Sequence, residues 1–149
     1  MSMPQDIRSF NRSVIEEFRA NNGLIAHEML RDVRLVLLTT TGARTGRSHT
    51  TPLAFFTDGP GRVVLWASAM AAASDPAWYR NLVAHPDVTV ELRTVAGIVK
   101  RFSATAATAR GAERQRLLGV LETSRPEIAA HQDRTGREIP LVVVDLQAR

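Results

Sequence analysis

Between Asp32 and Asp58 the sequence holds no acidic residue, yet Arg34, Arg44, Arg47 and His49 all fall there. At the centre of this stretch, Thr39-Thr40-Thr41-Gly42-Ala43-Arg44-Thr45-Gly46-Arg47-Ser48-His49-Thr50-Thr51-Pro52 sets hydroxyls and guanidinium groups around two glycines. Glycines let a backbone turn tightly and present successive N–H groups, while arginine forks match phosphate and carboxylate oxygens. Such a loop suits an anion. A plain polar hairpin would have the same composition, and no Gly-Lys-Ser/Thr follows to make it a nucleotide P-loop. Both readings stand at this point.

A second stretch runs from Ala67-Ser68-Ala69-Met70 through Asp75-Pro76-Ala77-Trp78-Tyr79-Arg80-Asn81. Its small residues would leave a shallow wall, and the sole tyrosine follows beside one of the two tryptophans. These rings either plug a core or flank a flat ligand. Other chemistry is thinly represented. The chain has no cysteine, so disulfides, thiolate metal sites and a cysteine nucleophile are excluded. His27, His49, His85 and His131 share no metal-ligand spacing, and neither a Gly-x-Ser-x-Gly elbow nor a marked carboxylate pair occurs. No metal site is expected.

The elements that must position these residues can be read from periodicity. Ile7, Phe10, Val14 and Phe18 recur at helical spacing, and Asn21-Asn22-Gly23 supplies a stop, so residues 6–21 read as an amphipathic helix. Its stripe suits core packing, with a membrane-surface face as the other reading. Leu35 to Leu38 reads as a buried strand running into the threonines. Thr50 to Phe56 reads as the next strand and Arg62 to Ser68 as its partner, across the turn cluster Asp58-Gly59-Pro60-Gly61. Asp75-Pro76 has the form of a helix start, with Asp at the cap, and that helix should end near Ala84. Val88 to Leu92 and Ile98 to Ala104 read as strands, 108–121 and Pro126 to Gln132 as helices, and Ile139 to Leu146 as the last strand. That makes about six strands and three or four helices in an α+β chain, a mostly antiparallel sheet or barrel.

The length of 149 residues fits a single domain over 1–149, with 44% hydrophobic and 23% charged residues as in ordinary globular chains. No apolar run is long enough to span a bilayer and no signal-peptide core begins the chain, so a cytoplasmic protein is expected. The net charge is +4, and Lys100 is the only lysine. Basic and aromatic residues do not interleave and no nucleic-acid module is visible, so no nucleic-acid partner is expected.

Read as whole segments, the chain resembles the deazaflavin (coenzyme F420)-dependent nitroreductase family, the split β-barrel reductases of actinobacteria. The segments that carry the likeness are Phe10 to Asn21, Leu37 to Gly46 with Thr51-Pro52-Leu53, Ala67-Ser68 with Asp75 to Leu82 and His85 to Val88, and Arg134-Thr135-Gly136-Arg137-Glu138-Ile139-Pro140. The resemblance implies a split barrel related to the flavin-binding ones, and an oxidoreductase. Hydride would pass from reduced coenzyme F420 to an electron-poor small molecule such as a quinone, a nitro compound or an activated alkene. Carried over by position, Ala43, Arg44 and Thr45 lie where the family holds the cofactor's phosphate and oligoglutamate tail, with Arg47 beside them. His49, Thr50, Thr51, Pro52 and Leu53 continue that contact toward the ring. Trp66, Ala67, Ser68 and Ala69 match a wall beside it, and Trp78, Tyr79 and Asn81 match the remaining ring-side positions.

The chain also departs from the pattern. His49 stands where many relatives have arginine, and Ala69-Met70-Ala71 replaces a glycine pair. His131 and Ile128 replace tyrosines of the nitroimidazole-activating members. His131 is the candidate catalytic residue, a proton donor to the acceptor, with a surface position as the competing reading. FMN in place of coenzyme F420, and a non-catalytic deazaflavin-binding or storage protein, are the alternatives. Peripheral membrane contact and a homodimer are compatible with the likeness.

Overall fold

The computed structural model describes residues 3–26, 34–68 and 74–146, with side chains from Ser9 onward. The elements run α1 (Met3–Ala20), β1 (Leu35–Thr41), β2 (Ser48–Ala54), β3 (Phe56–Thr57), β4 (Arg62–Trp66) and α2 (Ala77–Ala84). They continue as β5 (Asp87–Arg93), β6 (Val99–Thr108), α3 (Gly111–Ser124), α4 (Pro126–Ala129), a 3₁₀ helix (Ala130–Arg134) and β7 (Leu141–Leu146). The seven strands form one antiparallel sheet in the order β2-β1-β5-β6-β7-β4-β3.

Ala54 ends β2 and Phe56 begins β3, yet those strands are the opposite edges of the sheet. Only Phe55 separates them, so the sheet must curl until its two edges meet. The result is a split barrel whose seam lies between β2 and β3. β6 makes the bend by serving two neighbours. It pairs with β5 from Val99 to Thr105 and with β7 from Ala104 to Thr108.

Alternation decides what fills the barrel. Val36, Leu38, Val63, Leu65, Val88, Val90, Ala104, Ala106, Val142 and Val144 face inward around Trp78 and Leu82 of α2. The outer face is covered in two places. Val14 and Phe18 of α1 pack on Leu35 and Leu37, and Leu117 of α3 packs on Val64, Leu141 and Val143. β1, β4 and β7 are therefore buried on both faces, which is why their sequences are unbroken apolar runs. On β5 the buried carboxylate of Glu91 is answered by a two-pronged bond from Arg19, at 3.0 and 2.8 Å.

Several boundaries differ from the sequence reading, each for a local reason. Thr50 to Phe56 is not one strand hairpinned to Arg62–Ser68: β2 pairs with β1, and only Phe56–Thr57 reaches β4. That break makes seven strands from an expected six. α1 stops one residue early, where Gly23 (φ +86°) donates its N–H to Phe18; a Cβ on Gly23 would sit 2.8 Å from that of Arg93. The helix expected over 108–121 lies at 111–124, because Thr108 and Ala109 are still held by β7 through Val142 and Leu141. Asp75 does not cap α2; its carboxylate is taken by Arg137. β7 begins at Leu141, since Pro140 has no N–H and that of Ile139 goes to Gln132.

Candidate functional site

The β1–β2 connection is a tight, closed turn. The N–H of Gly42 donates to the Arg47 carbonyl at 2.7 Å, and that of Gly46 to the Gly42 carbonyl at 3.0 Å. Thr45 Oγ1 accepts the Arg47 N–H at 3.2 Å. Gly46 needs its positive φ of +71°, and a Cβ on Gly42 would lie 2.7 Å from Thr45 Oγ1. With the backbone folded inward, Ala43, Arg44, Thr45, Arg47 and His49 are all exposed. Neither Arg44 nor Arg47 forms an ion pair among the described residues. The turn thus offers two guanidinium groups to solvent with no carboxylate competing for them.

Asn81 fixes this turn to α2. Its side-chain carbonyl accepts the Ala43 N–H at 3.0 Å, and its amide donates to Thr40 Oγ1 at 3.1 Å. Both side chains are buried, Asn81 at 9% exposure and Thr40 at 1%. Trp78 lies one turn earlier on the same helix face. One face of α2 therefore reaches from the turn into the barrel.

β2 leads away from the turn along the seam. Thr50 shares the outer face with Thr39, their hydroxyls 2.8 Å apart, and Pro52 alternates onto that face with it. His49, Thr51 and Leu53 point the other way, and Leu53 packs on the barrel core. As an edge strand, β2 also tolerates Pro52, which has no N–H to give.

At the far end of β2, where the seam meets α3 and α4, is a cavity of about 210 Å³. Leu53, Trp66, Ser68, Trp78 and His131, all singled out from sequence, line it together. Its polar centre is one contact: Ser68 Oγ and His131 Nδ1 are 2.9 Å apart. Trp66 lies on the outer side of β4 against α4, its Nε1 donating to the Ile128 carbonyl at 3.1 Å with Arg114 stacked 5.9 Å over the ring. Trp78 both plugs the core and faces the cavity.

Other expected residues sit elsewhere. Ala67 is buried in the barrel core, its N–H bonded to the Pro140 carbonyl. Tyr79 meets Trp78 edge-on and bonds Thr108 Oγ1 at 2.8 Å, away from the cavity lining. Ala69 lies outside the described residues. Phe55, Phe56, Leu121 and Arg125 also line the cavity and were not singled out from sequence. Leu121, Arg125 and Ile128 follow one another at helical spacing, a signal that could have placed them on one face. Among the described residues no group of three or more His, Cys, Asp or Glu gathers to hold a metal, and no helix is long and apolar enough to cross a membrane.

Residues 10–146 match the model of the F420H(2)-dependent quinone reductase family. The chain belongs to this family. An F420H(2)-dependent quinone reductase of Mycobacterium tuberculosis (strain H37Rv) is 34% identical over 130 residues, covering 85% of this chain and 83% of the relative. The solved structure of an F420-H2 dependent reductase, FDR-A, superposes with a TM-score of 0.62 at 31% identity, covering 74% of this chain and 93% of that one. A domain-swapped dimer aligns at 28% identity and a TM-score of 0.65, over 95% of this chain and 99% of that chain. The split barrel is thus shared with F420-dependent enzymes, and the protein is an oxidoreductase of that kind.

The residues present fit coenzyme F420. Its phosphate and carboxylates need cations, which Arg44 and Arg47 offer, and its flat ring needs apolar walls, which the seam supplies through Leu53 and Trp78.

Proposed function

We propose that the β1–β2 turn and the seam cavity are the two ends of one site for reduced coenzyme F420 and a quinone-like acceptor. Arg44 and Arg47 hold the phosphate and carboxylates of the tail, with the backbone of Ala43 and Thr45 and the side chain of His49 beside them. Asn81 orients the turn. Thr51 and Leu53 guide the cofactor along β2, with the backbone of Thr50 and Pro52 between them. Trp66, Trp78 and Leu53 exclude water where the ring and acceptor meet. When bound, reduced coenzyme F420 supplies the hydride. Ser68 engages Nδ1 of His131, which leaves Nε2 as the ring nitrogen able to hold a proton and pass it to the acceptor oxygen.

The observation that carries this reading is the Ser68–His131 contact inside a mostly apolar cavity that both tryptophans of the chain line. Because both tryptophans are there, their fluorescence reports on the site directly. The test is to titrate the purified protein separately with oxidised coenzyme F420 and with FMN, then to follow oxidation of reduced F420 with a naphthoquinone. Quenching by F420 together with turnover is expected. Micromolar FMN binding without F420 binding would replace the cofactor, and F420 binding without turnover would make the protein a store. The same reading makes it a cytoplasmic enzyme that pairs with a second copy. Support for pairing comes from the domain-swapped dimer formed by a relative 28% identical.

A further inference from the structure

We infer that Arg137 is a positioning residue that sets the Ser68–His131 pair, an inference that rests on the role proposed for His131. Arg137 lies in the segment between the 3₁₀ helix and β7, and only 14% of its side chain is exposed. One end of its guanidinium donates to Asp75 Oδ1 at 2.7 Å. The other donates to the backbone carbonyls of Ser68 at 2.8 Å and Ala67 at 3.1 Å. One side chain thus binds the exit from β4 and a carboxylate seven residues further along the chain.

The other partner of the pair is tied to the same residue. Gln132, next to His131, donates from Nε2 to the Arg137 carbonyl at 2.7 Å and accepts the Ile139 N–H on Oε1 at 2.8 Å. Ser68 is therefore held through its own carbonyl and His131 through its neighbour, and both holds converge on Arg137. Arg137 does not line the cavity. It acts on the site only through the pair.

A planar fork with fixed donors can span three acceptors on two segments; a lysine ammonium, a point on a flexible stem, cannot. Charge on Asp75 strengthens the grip, since bonds between ionised partners are about twice as strong as neutral ones. Placement matters because a displacement of about 1 Å at reacting groups can cost about 10²-fold in rate.

The experiment uses ¹⁵N-labelled, cofactor-free protein and reads the two ring nitrogens of His131. The Ser68 hydroxyl engages Nδ1 alone, so the two wild-type shifts should be displaced from those of an unrestrained imidazole. In Ser68→Ala they should move toward the average of an unrestrained imidazole. Arg137→Lys should move them in the same direction while thermal stability shows the fold intact. Turnover with a naphthoquinone should fall about tenfold, within the range that misplacement can cost, and F420 affinity should hold. Wild-type ring-nitrogen shifts in Arg137→Lys would overturn the inference. Should that variant not fold, Asp75→Asn leaves both carbonyl bonds and should give a smaller shift the same way; no shift there would also overturn it. A His131→Phe enzyme with wild-type turnover would instead remove the proton-donor reading, while the ring-nitrogen signature still judges Arg137.

Discussion

The side-chain amide of Asn81 holds the backbone N–H of Ala43 at 3.0 Å, from a helix 38 residues further along the chain. The same amide donates to the buried Thr40 hydroxyl, so its loss strands a partner on each side of the strand end. Replacing Asn81 by Leu keeps the branched shape, with somewhat larger bulk, and removes both bonds. Leaving such buried groups unsatisfied costs about 1–3 kcal/mol. We expect a lower denaturant midpoint together with weaker F420 binding, because the turn is no longer tied to α2. Wild-type affinity in a destabilised Asn81→Leu protein would show that the turn needs no such anchor.

Arg44 and Arg47 should each carry part of the cofactor's tail. Arg44→Ala is expected to weaken F420 binding by about 1.5–3 kcal/mol, the range for hydrogen bonds to charged groups. Arg44→Lys should restore only part of that, since a point charge does not reproduce a bidentate fork. Both side chains are exposed, so the loss should shrink as salt is raised. Unchanged affinity in the Arg44/Arg47 double alanine variant, or binding indifferent to salt, would move the tail elsewhere.

The barrel was legible where alternation or an unbroken apolar run met a turn signal, as at Leu35–Leu38 and Val88–Leu92. What did not show was which strands are neighbours. Nothing local in Ala54-Phe55-Phe56 says that the chain crosses there from one edge of a curled sheet to the other. For the site, likeness to a family pointed to Leu53, Trp66, Ser68, Trp78 and His131, and the fold brings those five to one cavity. Tyr79 differs because helix geometry turns it about 100° from Trp78, toward Thr108. Arg125 went unmarked, and Arg137 entered only as part of a segment of family likeness with no role, because arginine is common in this chain. Only long-range packing separates an arginine at a cavity wall, or one bonded to two carbonyls and a carboxylate, from the solvated rest.

Stability should fall in acid partly through Asp58. Its carboxylate accepts hydrogen bonds from Arg116 and pairs with Arg62. The Arg116 bonds hold its pKa below the usual carboxylate value, the charges of Arg116 and Arg62 adding to them and burial opposing. A depressed native pKa means that the unfolded state takes up the proton first as pH falls. The contribution is therefore complete above the unfolded value of about 3.9 and is lost as pH drops through the native one below it. Asp58→Asn should cost stability at neutral pH, and the gap to the wild type should close in that acid window. High salt should narrow the gap at neutral pH, since these are surface pairs. A gap that stayed constant from neutral pH into strong acid would count against the ion pairs as its source.

His131 tests the chemistry itself. Quinone reduction needs a proton as well as a hydride, and the cavity offers few groups that carry one. Ser68 is already bonded to His131 and Arg125 is paired through Nε with Glu127; the rest of the lining is apolar side chains apart from the indole N–H groups of Trp66, given to Ile128, and Trp78, neither of which is an acid near neutral pH. Histidine is the side chain whose charge ordinarily changes between pH 5 and 8, so it can hold a proton near neutrality and release it to an oxygen. His131→Phe keeps a flat ring of similar size and removes both nitrogens. Turnover should fall, and positioned general acids are typically worth about 10²–10⁴-fold, so even a partial role is measurable. Cofactor affinity should hold, because the proposed tail site lies at the other end of β2. Unaltered turnover would assign the proton to solvent and leave His131 as a wall of the cavity.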